Sequence, residues 1–206
     1  MNGDHLLCIR CHAELPLTDF HLHPDNPVEK MFWGRLPLVQ ATAHLYFRKE
    51  SMVQDIVHHI KYHGNQELGI YFGRLMAESF SITNYLSKVD ALIPLPLHPI
   101  KQRKRGYNQA TLLCQGISEA SGLPVYEHVV RRRKHTESQT KKTRQERWEN
   151  MKDNFELVDA ESISGKHVLL VDDVVTTGAT LEACGQELIK AQNAQLSIAT
   201  LCISSH

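Results

Sequence analysis

Residues 168–180 read "VLLVDDVVTTGAT": four apolar side chains, two adjacent carboxylates, then hydroxyls around a glycine. A short continuous apolar run closed by polar residues is the pattern of a strand buried on both faces. Strands of that kind belong to parallel sheets, whose crossovers lay helices over both faces. This one segment therefore directs the chain toward an α/β architecture.

The remaining pattern fits. "AHLYF" (43–47), "DALIPLPL" (90–97), "VYEHVV" (125–130), "KHVLLVDD" (166–173) and "AQLSIATLCI" (194–203) read as strands. Between them lie helical stretches: one with Val53, Ile56, Val57 and Ile60 on one face, a second from about Gln66 to Phe80, a third over 107–120 and a fourth over 180–191. A basic loop, "HPIKQRKRG", is expected after the strand at 90–97. Residues 1–43, rich in His and Pro, form a short irregular Cys/His-bearing appendage, and residues 44–206 the main domain. With 206 residues, one well-buried core is within reach. Alternating strands and helices mean a mostly parallel sheet, with ligands gathered at the carboxyl ends of its strands.

At such a strand end Asp172 and Asp173 would meet a turn made of Thr176, Thr177, Gly178, Ala179 and Thr180. Glycine lets a backbone approach a ligand, and a helix start offers free N–H groups with positive dipole character, so the turn suits a phosphate. Carboxylates beside a phosphate would repel it unless they address sugar hydroxyls or a magnesium ion shared with the phosphates. A phosphorylated sugar satisfies both halves of the pattern. The nucleotide-hydrolase loop G-x-x-x-x-G-K-[ST] is missing, with Ala160 where "SGKH" would need its first glycine, and no G-x-G-x-x-G follows a strand.

The stretch resembles the 5-phosphoribosyl-1-pyrophosphate (PRPP) motif of type I phosphoribosyltransferases. The resemblance implies that Asp172 and Asp173 contact ribose hydroxyls as catalytic residues, and that Thr176 through Thr180 hold the 5-phosphate, with Mg2+ accompanying PRPP. Purine-salvage members often place an aspartate where this chain has Thr176, which speaks against a salvage assignment.

Formal charge is zero overall, yet residues 98–152 hold 13 Lys and Arg against 5 Asp and Glu. A basic middle on a neutral chain suggests an anionic partner at one place. Two clusters follow predicted strands: Lys101, Arg103, Lys104 and Arg105, then Arg131, Arg132, Arg133 and Lys134. Cations there would stabilise a departing pyrophosphate. The same charge could track single-stranded DNA, with Tyr107, Tyr126 and Trp148 as stacking platforms.

"PLPLHPIKQRKRGYNQA" and "RKHTESQTKKTRQERWEN" extend the likeness. With the acidic motif they resemble the ComF family, phosphoribosyltransferase-fold proteins associated with DNA uptake in natural transformation. The resemblance implies a cytoplasmic protein that works beside a competence helicase and touches single-stranded DNA; the acceptor of the phosphoribosyl group stays open. A binding module on the same fold is the alternative to an enzyme.

Cys8 and Cys11 have the spacing of half a structural zinc site, which ordinarily takes four ligands. ComF proteins usually carry two such pairs and this chain has one: either the upstream pair is missing, or His12, His21 or His23 complete the site, or no metal binds. Cys114, Cys184 and Cys202 sit singly in apolar or helical stretches, as buried thiols do, and a disulfide framework is not expected. His58, His59 and His63 are expected on the outer side of their helix. The sequence has no 18-residue apolar stretch, so membrane insertion is not expected, and the first residues lack the pattern of a secretory signal.

Overall fold

A computed structural model describes residues 6–133 and 154–204. Four parallel strands form the central sheet: β1 (Gln40–Phe47), β2 (Ala91–Pro94), β5 (His167–Val175) and β6 (Gln195–Ser204), in the order β1-β6-β5-β2. The α/β class with a parallel sheet flanked by helices is what the apolar runs require. β5 sits between two neighbours and buries seven consecutive residues, His167 through Asp173.

Alternation along β5 builds two cores. Val168 and Leu170 pack on one side, with Phe32, Leu181 and Cys184; Leu169 and Val171 pack on the other, with Ile60, Phe72 and Leu113. The second face is covered by α3 (Met52–Tyr62), α4 (Gln66–Ser81) and α6 (Gln109–Ser121). His58, His59 and His63 lie exposed. α4 and α6 touch backbone to backbone at Gly73 and Gly116: a Cβ on either would collide with the other helix's main chain. The first face carries α7 (Ala179–Leu188) and the antiparallel pair β3 (Val130–Arg132) and β4 (Phe155–Leu157).

Two elements differ from expectation. The basic loop after β2 is a helix, α5 (Pro99–Arg105). Pro99 begins it, His98 caps it by accepting the Ile100 amide at 3.3 Å, and Gly106 in the left-handed region stops it. "VYEHVV" contributes only an isolated bridge, where Leu92 N–H donates to Pro124 O and Tyr126 N–H donates to Leu92 O. Bends over 127–129 then turn the chain away from β2 before β3 begins at Val130.

The amino-terminal residues include α1 (Ile9–Ala13) and α2 (Pro27–Phe32). They run along the free edge of β1. Thr18 N–H donates to His44 O at 3.0 Å, Pro16 O accepts from Tyr46 N–H at 2.9 Å, and Asn26 Nδ2 donates to Ala41 O at 2.8 Å. An unpaired sheet edge is thereby covered. Phe20, Val28, Phe32 and Leu36 from this segment are buried in the same core as α7 and β5.

Candidate sugar-phosphate site

β5 outruns its neighbour β2, whose last pair is Pro94 with Val171, so Asp172 and Asp173 have no β2 partner, while β6 still pairs with the strand as far as Val175. Adjacent residues of a strand leave opposite faces. Asp172 accordingly lies on the α7 side, where its charge acts on Cys184 and on Arg132. Asp173 lies on the α3 side, near Cys202 and in an ion pair with Lys61, Nζ to Oδ2 2.7 Å. The acids are neighbours in sequence but serve different walls.

Both acids are buried, with 9% of Asp172 and 5% of Asp173 exposed. Burial, reinforced by the like charge of Asp173, pushes the Asp172 carboxyl well above the ordinary carboxylate range. The Asp173 amide partly offsets this by donating to Asp172 Oδ1 at 2.8 Å. Asp173 Oδ2 receives no hydrogen bond despite the close Lys61 ammonium, which is not aligned to donate. A buried acceptor without a donor is costly, and a ligand hydroxyl or a cation would satisfy it.

Beyond the acids, Thr176, Thr177, Gly178, Ala179 and Thr180 line a cavity of about 50 Å3 together with Asp172. Gly178 is the residue before α7, in the left-handed conformation (φ 74°), and no side chain caps the helix. Thr177 Oγ1 accepts only weakly, 3.4 Å from the Ala179 amide. The first turn of a ten-residue helix thus presents its N–H groups to the cavity, the arrangement that attracts phosphate. The Phe32 ring of α2 packs against Gly178 and leaves no room for a Cβ there. Arg35 pairs with Glu182 in α7's first turn, so the amino-terminal segment braces this loop.

The basic residues separate by face. Arg131 and Arg133 both pair with Glu156 on the outer side of the β3–β4 pair, at 2.9 and 3.5 Å. Arg132 points the other way, 5.3 Å from the Phe155 ring centroid and toward Asp172. Burial lowers the Arg132 pKa, and Asp172 counteracts it. Lys134 and Trp148, with most of the second basic stretch, lie outside the described residues. On α5, Lys101, Lys104 and Arg105 line a cleft of about 430 Å3, and Arg103 does not. Tyr107 joins them, and Lys61, Tyr62 and Gly64 close the far side. Lys61 escaped the sequence reading because a single lysine ending an amphipathic helix looks like any dipole-matched surface cation.

Cys8 and Cys11 lie side by side at the start of α1, the Cys11 amide donating to Cys8 Sγ at 3.3 Å. That amide lowers the Cys8 pKa, while the hydrogen bond with Cys8 raises that of Cys11. Among the described residues no group of three or more His, Cys, Asp or Glu is placed to hold a metal.

Residues 105–206 match the phosphoribosyl transferase domain. The chain is 30% identical over 203 residues to the DNA utilization protein YhgH of Shigella flexneri, covering 97% of this chain and 85% of that protein. It is 40% identical over 109 residues to competence protein F of Haemophilus influenzae, and this similarity spans about half of each, 52% of the chain and 48% of the relative. Competence protein ComFC of Bacillus subtilis is 30% identical over 152 residues, 73% of this chain and 60% of that protein. The chain belongs to the ComF family of phosphoribosyltransferase-domain proteins.

Proposed function

We propose that this protein binds PRPP with Mg2+ and transfers its phosphoribosyl group to a nitrogen nucleophile, releasing pyrophosphate. The observation that carries this reading is the cavity at the start of α7, where uncapped helix amides and the hydroxyls of Thr176, Thr177 and Thr180 adjoin a buried acid. The 5-phosphate occupies that cavity, and the ribose hydroxyls donate to Asp172 and to the unpartnered Oδ2 of Asp173. Magnesium is commonly held by one or two carboxylates plus substrate phosphates and water, and the buried Asp172 and Asp173 would supply the carboxylates. Bound with PRPP, the ion would neutralise pyrophosphate charge; Lys101, Lys104 and Arg105 of α5 add fixed positive charge in their cleft, where it lowers the barrier electrostatically.

The names of the relatives, "competence protein" and "DNA utilization protein", support a role for this activity in DNA uptake during natural transformation; a place in the cytoplasm beside a competence helicase belongs to the same proposal. No helix among the described residues is long and apolar enough to cross a membrane.

Calorimetric titration of PRPP and Mg2+ into the purified protein tests the reading. Binding that the Asp172→Asn/Asp173→Asn variant loses is the expected result; no binding by the unaltered protein refutes it. The segregated charge of residues 98–152 favours a second reading, a single-stranded-DNA-binding module. In that case oligonucleotide affinity falls steeply with salt and is untouched by the two asparagines.

A further inference from the structure

Lys61 belongs to two places at once. It forms the 2.7 Å ion pair with Asp173, and it is also part of the wall of the 430 Å3 cleft between α3 and α5. Its ammonium carries three donors, and its contact with Asp173 is an ion pair without an aligned hydrogen bond, so its donors remain free for a further partner. The remainder of the cleft's charge is of the same sign: Lys101, Lys104 and Arg105 face it, and no acid is among its described lining residues. A volume of this size is in the range of small-molecule sites, and its charge selects an anion.

The end of α3 is fixed in position independently of the ion pair. Tyr107 donates its hydroxyl to Ile60 O, the residue before Lys61, and Arg105 lies over the Tyr62 ring, 5.5 Å from its centroid. These ties bind α3 to the α5–α6 turn from residues on both sides of Lys61. A lysine present only to neutralise Asp173 would need neither a fixed helix end nor three further cations around an open cleft.

We propose that Lys61 is a ligand-binding residue joining the two halves of the site: held on Asp173, it also contacts a pyrophosphate group seated in the cleft between α3 and α5. This deepens the proposed function and rests on it for the ribose end alone. The leaving group is then gripped between α3 and α5, on the Asp173 side of the sheet, while Arg132 serves the Asp172 side.

The test uses separate probes for the two halves, magnesium pyrophosphate and ribose 5-phosphate, titrated calorimetrically into the full chain and its Lys61→Met and Lys61→Arg variants. Circular dichroism and a urea midpoint establish that each variant is folded. The proposal expects Lys61→Met to weaken pyrophosphate binding at least about tenfold while leaving ribose 5-phosphate within about threefold, and Lys61→Arg to recover most of the loss. Absence of pyrophosphate binding by the unaltered chain overturns it, as does equal weakening of both probes, which marks a purely structural lysine, or no change in either. If pyrophosphate binds and depends on Lys61 while ribose 5-phosphate does not bind at all, the cleft assignment stands and the phosphoribosyl reading fails.

Discussion

Gly178 is where the amino-terminal segment meets the phosphate loop, and a double-mutant cycle with Phe32 measures that contact. Two separate effects oppose a side chain at Gly178. Its φ of 74° is left-handed, which costs a residue with a Cβ about 1–2 kcal/mol. The Cβ would also stand 2.9 Å from Phe32 Cε1 and about as close to Cζ, an overlap that forces the ring or the loop to move and costs about 1–3 kcal/mol. Gly178→Ala alone should therefore lose about 3 kcal/mol by urea denaturation. Phe32→Leu, a buried hydrophobic exchange, loses about 1.5 kcal/mol alone but removes the ring atoms in question. On top of Phe32→Leu, Gly178→Ala should cost only the backbone part, about 1.5 kcal/mol, so the two changes interact by about 1.5 kcal/mol. Ribose 5-phosphate affinity should drop with Gly178→Ala and partly return in the double variant, as the loop settles back. A Gly178→Ala cost that agrees within about 0.5 kcal/mol in the two backgrounds would show that Phe32 does not brace the loop.

Gly116→Ala should lose about 3 kcal/mol or more, since the new Cβ meets the carbonyl of Ile70 and the Cα of Gly73 and no flexible side chain is there to yield; a urea midpoint unchanged from the parent would contradict the backbone contact. His44 should make stability acid-sensitive: burial, aided by His21 and His12, pushes its pKa down to about 4 from 6.5. Below pH 6.5 the unfolded chain takes up a proton that the folded one refuses, so this contribution is absent above that pH and grows to a loss of about 2.5 kcal/mol by about pH 4.5. Measured from about pH 7 down to about 4.5, His44→Gln should lose less stability than the parent by about that amount, and equal slopes would refute the burial argument.

The parallel sheet was legible because its evidence is local: β5 and β6 are continuous apolar runs, and α3 and α4 repeat their apolar residues at helical spacing. The basic helix α5 was not, because seven residues dominated by Lys and Arg show no apolar stripe, and what makes them helical is a pair of start and stop signals, Pro99 and Gly106, easily taken for a loop. The turn at 176–180 was legible as a phosphate cradle since the chemistry sits in consecutive residues. Lys61 was hidden for the opposite reason: it comes from α3, far from β5 in the chain; Arg132 was legible only as one of a basic cluster, and no local pattern announces which cation of such a cluster a fold will turn toward a strand.

The acidic pair shows where sequence adjacency misleads. Two neighbouring carboxylates suggest a single negative patch, but alternation along the strand starts them toward opposite faces: Asp173 forms an ion pair with Lys61, whereas Asp172 has no ion-pair partner among the described residues and acts on Arg132 only through its charge. That division has a chemical consequence. A ligand that touches both acids must reach Asp172 on the α7 side and Asp173 on the α3 side. Moving either acid by one position would place both on one face and leave the other without a carboxylate. The adjacency of Asp172 and Asp173 therefore gives each face of the sheet one acid, and the strand geometry, not the charge, makes it.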